Sequence, residues 1–145
     1  MDYIRKNELI NVNVEIIFDL INDVDNYDTF LPWCSESRII SHDENVVEAE
    51  INISKNFLKW KFSTKNKYFH NNRINLELLD GPFSHLTGYW LFKIIDTNNT
   101  SVELYLEYEF DNKLIELSIK PIFSNIMTSI LDSFISQAFQ LKNND

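Results

Sequence analysis

Three histidines (His42, His70 and His85), one cysteine (Cys34) and a carboxylate pair (Glu107 and Glu109) are the side chains in this 145-residue sequence best suited to metal binding, nucleophilic attack or acid–base work. Their spacing argues against each of these uses. No cysteine or carboxylate cluster stands near a histidine at ligand spacing, so no metal centre is expected. Cys34 has no adjacent base to take its proton and reads as a buried, inert thiol. Glu107 and Glu109 share parity on one strand and read as acids on a solvated face. The expectation is a protein with no catalysis and no catalytic cofactor.

A second set of residues suits binding. Hydrophobic residues make up 44% of the chain and aromatics 14%, with eleven Phe, six Tyr and three Trp. That supply can fill a core or line an apolar tunnel. The inward candidates are Trp60, Phe62, Leu76, Trp90, Phe92, Leu106, Tyr108, Ile126, Ile130 and Phe134. The same residues would also serve by packing against one another. The stretch LLDGPFSHLTGYWLF, residues 78–92, holds both glycines of the chain. Gly81, before Pro82, is turn chemistry. Gly88 lies inside a strand, where glycine marks a bulge, a bend, or room left for something that comes close. In the last case it joins the ligand-binding set beside Trp90 and Tyr108. Phe30, Leu31, Pro32, Trp33 and Phe83 would stand in loops able to cover an entrance.

Periodicity supplies the elements that position these groups. Tyr3 to Ile10 predicts a strand, and Asn13 an N-cap for a short helix with Ile16, Ile17, Leu20 and Ile21 on its apolar face. One further helical turn ends before Pro32. Cys34 to His42 predicts the next strand, and five strict alternations follow, running from Val47 to Phe110. About seven strands are expected, as an antiparallel meander. The chain closes in a long helical pattern from Ile115 to Leu141, kinked or broken near Pro121. In the last hairpin, Phe92 is expected opposite Leu104 and Trp90 opposite Leu106. That register puts Lys93 opposite Glu103 and Gly88 opposite Tyr108.

This order of elements is that of an α+β helix-grip fold, like that of the birch-pollen allergens, in which a curved sheet grips the last helix. Two short helices follow the first strand, and residues 1–145 form one domain. The segments NDVDNYDTFLPWC (22–34), LLDGPFSHLTGYWLF (78–92) and EYEFDNKLIEL (107–117) resemble those of the START-like coenzyme Q-binding and ribosome-association toxin (RatA) family, within the polyketide cyclase/dehydrase and lipid transport superfamily. Trp33 and Pro121 depart from the family pattern. The resemblance implies a ubiquinone or other prenyl-lipid ligand and a role in ubiquinone biosynthesis or respiration. On that reading the Tyr108 hydroxyl could donate to a quinone carbonyl. Other members are toxins that bind the large ribosomal subunit and block subunit joining, which is the alternative. Cyclases and hydratases share the fold, so an enzyme is suggested by fold analogy alone.

Charge separates the partners. The formal net charge is −9, yet residues 51–76 contain no acid and six basic residues. Of these, Lys59, Lys61, Lys65 and Lys67 share odd parity and one outer face. Such a stripe suits anionic lipid or ribosomal RNA. It also suits cross-strand pairing, with Glu50 opposite Lys61 and Glu77 opposite Lys65, which leaves Lys59 and Lys67 unpaired. Pairing is the favoured reading, because a net acidic protein is repelled by RNA. DNA is not an expected partner. A lone cysteine, no secretory pattern and no uninterrupted apolar run of membrane-spanning length point to the cytoplasm, with peripheral membrane contact open.

Overall fold

The computed structural model describes residues 1–55 and 57–143. Strand β1 (Asp2–Ile10) is followed by helix α1 (Val14–Asn22), a 3-10 turn (Val24–Asn26) and the one-turn helix α2 (Tyr27–Phe30). Six strands come next: β2 (Cys34–Asp43), β3 (Val46–Lys55), β4 (Leu58–Phe69), β5 (Arg73–Asp80), β6 (Phe83–Asp96) and β7 (Asn99–Phe110). Helix α3 (Lys113–Asn143) ends the order. The strands form one antiparallel sheet in the order β1-β7-β6-β5-β4-β3-β2, with β1 closing against the last strand of the meander.

Local chemistry explains the boundaries. The Asn13 side chain accepts from the Glu15 amide at 2.9 Å and caps α1. Asn112 does the same for α3 through the Ile115 amide. Strict alternation in β7 puts Val102, Leu104, Leu106, Tyr108 and Phe110 on the buried face. Pro121 lies on the exposed side of α3, and the helix runs through it unbroken. The backbone bond that proline cannot make leaves the carbonyl of Leu117 open, and Leu117 is itself exposed to water. By length and apolar content α3 could cross a membrane. Its buried face, including Ile119, Phe123, Ile126, Ile130 and Phe134, instead packs as a core helix does.

The β6–β7 register differs from the sequence expectation by two residues. Trp90 faces Leu104, Phe92 faces Val102, Gly88 faces Leu106 and Lys93 faces Ser101. A Thr97–Asn98 turn, held by Asp96, and an irregularity between Ile94 and Asp96 account for the slip. A slip of two leaves each side chain on its expected face.

The two glycines have different uses. Gly81 has φ +156°, and a Cβ there would stand 2.7 Å from Cβ of Phe62. At Gly88 an added Cβ would lie 2.0 Å from the Tyr105 carbonyl oxygen and 2.9 Å from Cα of Leu106. Gly88 has no positive φ, and the ladder passes it without a bulge. The backbone of β7 occupies the space a side chain would need. The expectation of ligand room at Gly88 is corrected: what approaches closely is the neighbouring strand.

Candidate functional site

Between the sheet and α3 lies a cavity of about 90 Å³. Ile51 and Ile53 of β3, Phe62, Thr64 and Asn66 of β4, Leu76 of β5, Leu86 and Trp90 of β6, and Leu104 and Leu106 of β7 form its sheet side. Phe123, Met127, Ile130 and Phe134 of α3 form the opposite wall, and Val24, Tyr27 and Trp33 complete it. The Phe134 ring anchors that wall, edge-on to Tyr27 at 5.2 Å and to Trp90 at 5.6 Å. Tyr27 donates its hydroxyl hydrogen to the Ile21 carbonyl, which ties α2 to the end of α1. Burial, followed by the nearby Asp23, pushes the Tyr27 hydroxyl well above the usual phenol range, so it stays protonated.

Polar groups break the apolar lining at three points. Thr64 and Asn66 are buried, as is Trp33. Among the described residues, Asn66 Oδ1 and Trp33 Nε1 have no hydrogen-bond partner. A buried polar atom left unpaired costs about 1–3 kcal/mol. Both atoms belong to residues that line the cavity, where a few polar groups among apolar ones are what orients a polar head group. The amide can present either oxygen or NH₂ after a half-turn, so Asn66 can also act as a donor.

Of the residues expected to line a tunnel, Phe62, Leu76, Trp90, Leu106, Ile130 and Phe134 border the cavity. Phe92 and Ile126 are buried elsewhere in the core, Phe92 against Phe18 at 5.2 Å. Trp60 borders a separate surface depression. Tyr108 packs against Phe123 at 4.9 Å, and the polar groups acting on its hydroxyl are Asp2, Lys120 and Ser124. Burial first, then Asp2, raises its pKa. Its hydroxyl is therefore corrected from cavity donor to a group at the β1–α3 seam.

The entrance set divides too. Trp33 is a cavity wall, Leu31 is buried, Phe30 packs on Phe134 at 5.6 Å, and Pro32 is exposed. Phe83 opens β6 in the core, stacked on Phe110 at 4.8 Å, and covers no entrance. Thr64 and Asn66 were missed, although a signal existed. If the lysines of KFSTKNKYF point outward, alternation turns these two polar residues inward.

The four lysines do share an outer, exposed face of β4. Glu77 stands opposite Lys65 in the ladder. Glu50 stands opposite Ser63 rather than Lys61, and its ion pair with Lys61, 3.1 Å, runs diagonally. Arg38 and Lys61 both hold the Glu50 carboxylate below its ordinary range, Arg38 more strongly. Lys67 lies over the Phe69 ring at 5.6 Å.

The groups weighed for chemistry lie apart. His42 meets the Tyr68 hydroxyl at 3.0 Å, His70 touches the edge of Phe18, and His85 lies 3.8 Å from Glu107. Burial raises the Cys34 thiol pKa. Among the described residues no three His, Cys, Asp or Glu gather as a metal site would need.

Comparison with known proteins agrees with this fold. Residues 10–135 match the family model described as polyketide cyclase / dehydrase and lipid transport. A ribosome association toxin RatA from Pseudomonas aeruginosa is 32% identical over 139 residues, covering 96% of each chain. A mitochondrial coenzyme Q-binding protein COQ10 from Dictyostelium discoideum is 28% identical over 132 residues, covering 88% of this chain and 64% of its own. The crystal structure of the Zhui aromatase/cyclase from a Streptomyces species superposes with a TM-score of 0.85 at 10% identity, covering 96% and 94%. At that identity the likeness is one of fold.

Proposed function

The chain belongs to the polyketide cyclase / dehydrase and lipid transport family, beside proteins named RatA and COQ10, and from that premise we propose that it is a non-catalytic carrier of a prenyl quinone. The observation that carries this reading is that Trp33 and Asn66, whose Nε1 and Oδ1 atoms are buried without a partner among the described residues, both line a largely apolar cavity. A quinone ring offers two carbonyl acceptors on a flat apolar body, and its reduced form offers two hydroxyl donors. The Trp33 N–H can donate to a carbonyl. The Asn66 amide can accept from a hydroxyl or, turned over, donate to a carbonyl.

Size sets a condition on the binding. A cavity of about 90 Å³ is smaller than the roughly 150 Å³ that admits one benzene. A quinone ring therefore enters only as the lining yields, and a prenyl tail runs out of the cavity. The α3 wall that the ring must pack against is formed by Phe123, Met127, Ile130 and Phe134. Collecting such a ligand calls for contact with a bilayer, and a cytoplasmic carrier would make that contact peripherally.

Mass spectrometry of organic extracts from the natively purified protein tests the proposal. A prenyl quinone at near-equimolar amount is the expected result, and extracts free of prenyl lipid would contradict it. Ribosome association is the second reading, favoured by the name of the Pseudomonas relative and by the outward lysines of β4. It gains if the lipid-free protein co-sediments with large ribosomal subunits.

A further inference from the structure

The hairpin of β3 and β4 reaches past the rest of the sheet. Its neighbours stop short, since β2 pairs no further along β3 than Ile53 and β5 no further along β4 than Ser63. Beyond those points the two strands pair with each other through Ser54–Lys59 and Lys55–Leu58, and one further backbone bond, from the Ser54 amide to the Trp33 carbonyl at 2.9 Å, holds the base. Past the last pair, Phe57 stands in the turn with its ring fully exposed. A two-stranded projection ending in a bare aromatic ring gains nothing from water and has no core to join.

The charge around that ring is of one sign. Lys55 and Lys59 flank it, and neither meets an acid at ion-pair distance among the described residues. Lys61 follows on the same face as Lys59, and residues 51–76 hold no acid in a chain of formal charge −9. At the base of the projection Ser54, Lys59, Trp60 and Lys61 border a surface depression of about 450 Å³. Ile53 borders both this depression and the internal cavity. The projection therefore carries an apolar tip, a basic collar and a base that adjoins the cavity.

We propose that the free end of the β3–β4 hairpin docks the protein on anionic phospholipid bilayers, with Phe57 entering the interface and Lys55 and Lys59 meeting lipid phosphates. The inference takes its purpose from the carrier reading, though docking itself can be measured whatever the cavity holds. An amphipathic tip gains by burying apolar area while its lysines stay at headgroup level. Each basic residue near an anionic leaflet adds attraction that weakens with salt. Nucleic acid would be met by the same lysines. However, the tip has no arginine fork for phosphate recognition, and a bare phenyl ring gains most in hydrocarbon.

Flotation with phosphatidylcholine vesicles, plain or containing one third phosphatidylglycerol, is the test. The parent should float with the anionic vesicles and lose them as salt rises. Phe57→Ser should weaken partitioning about tenfold, and Lys55→Ser and Lys59→Ser about fivefold each. Phe57→Ser and Lys59→Ser should melt like the parent, because those side chains are exposed, and Lys55→Ser, at a half-buried position outside the core, should melt close to it. Phe57→Trp should be quenched by brominated acyl chains. Failure of the parent to float, or a Phe57→Ser protein that floats equally well, overturns the proposal. So does Phe57-dependent binding to ribosomal RNA without vesicle binding. Prenyl lipid extracted from the same preparations is scored separately. Docking without bound lipid would leave this inference standing and remove the carrier reading, and bound lipid without docking would do the reverse.

Discussion

The two ends of the sheet are built on opposite principles. At one end β6 and β7 meet the first half of α3 in an aromatic cluster. Phe83 stacks on Phe110 at 4.8 Å, and Phe123 stands edge-on to Phe83 at 5.2 Å and to Tyr108 at 4.9 Å. There β7 presses so closely on β6 that Gly88 has no space for a Cβ. Towards the other end, β3 and β4 border the basal depression and, with Trp33, one side of the cavity, whose other side is Leu86, Trp90, Leu104, Leu106 and Phe123. Among the described residues, the buried side-chain atoms without partners, Trp33 Nε1, Asn52 Oδ1, Trp60 Nε1, Asn66 Oδ1 and Asn71 Oδ1, all fall between residues 33 and 71. Close packing at one end supplies stability, and the other end keeps polar groups unpaired at the expense of stability. A carrier needs both, because a site that opens must be hung from a part that does not.

The sharpest way to break this contrast is truncation in the closed end. Phe123→Ala removes a fully buried ring from the aromatic cluster and should cost about 3–5 kcal/mol of stability, read by urea unfolding. A loss under 1 kcal/mol would mean that the cluster does not anchor the fold. Gly88→Val comes next. A side chain there meets the Tyr105 carbonyl and Leu106, so β6 and β7 must separate, at a cost of about 1–3 kcal/mol. Quinone affinity should fall only together with stability, because Gly88 itself does not border the cavity although Leu106, which its side chain would meet, does. A variant as stable as the parent but unable to bind would return Gly88 to the binding site.

How far the sequence revealed this arrangement depended on the kind of signal. Alternation is carried by every residue of a strand, so the seven strands and the inward faces of Phe62, Leu76, Trp90 and Leu106 were legible. Register was less so, because it turns on one hairpin irregularity between Ile94 and Asp96 that leaves no mark on alternation. Gly88 announced a close approach without naming the neighbour. Tyr108 and Phe83 lie on the expected face, yet at the closed end rather than at the cavity. Alternation assigns a face and gives no position along the strand relative to α3. The cavity's polar pair was obscured for another reason: inward polar residues such as Asn66 acquire meaning only when their lack of a partner is known.

Asn66 is therefore where the central claim meets its most direct measurement. Asn66→Leu replaces an unpartnered amide with an apolar group of similar volume, and relief of the buried polar atom should raise stability by about 1 kcal/mol. Titration of a short-tailed ubiquinone into parent and variant, followed by quenching of the cavity tryptophans, reads the other half of the exchange. The account predicts a more stable protein that binds quinone about tenfold more weakly, as loss of one buried hydrogen bond to the head group requires. A more stable variant that binds quinone as tightly as the parent would contradict it.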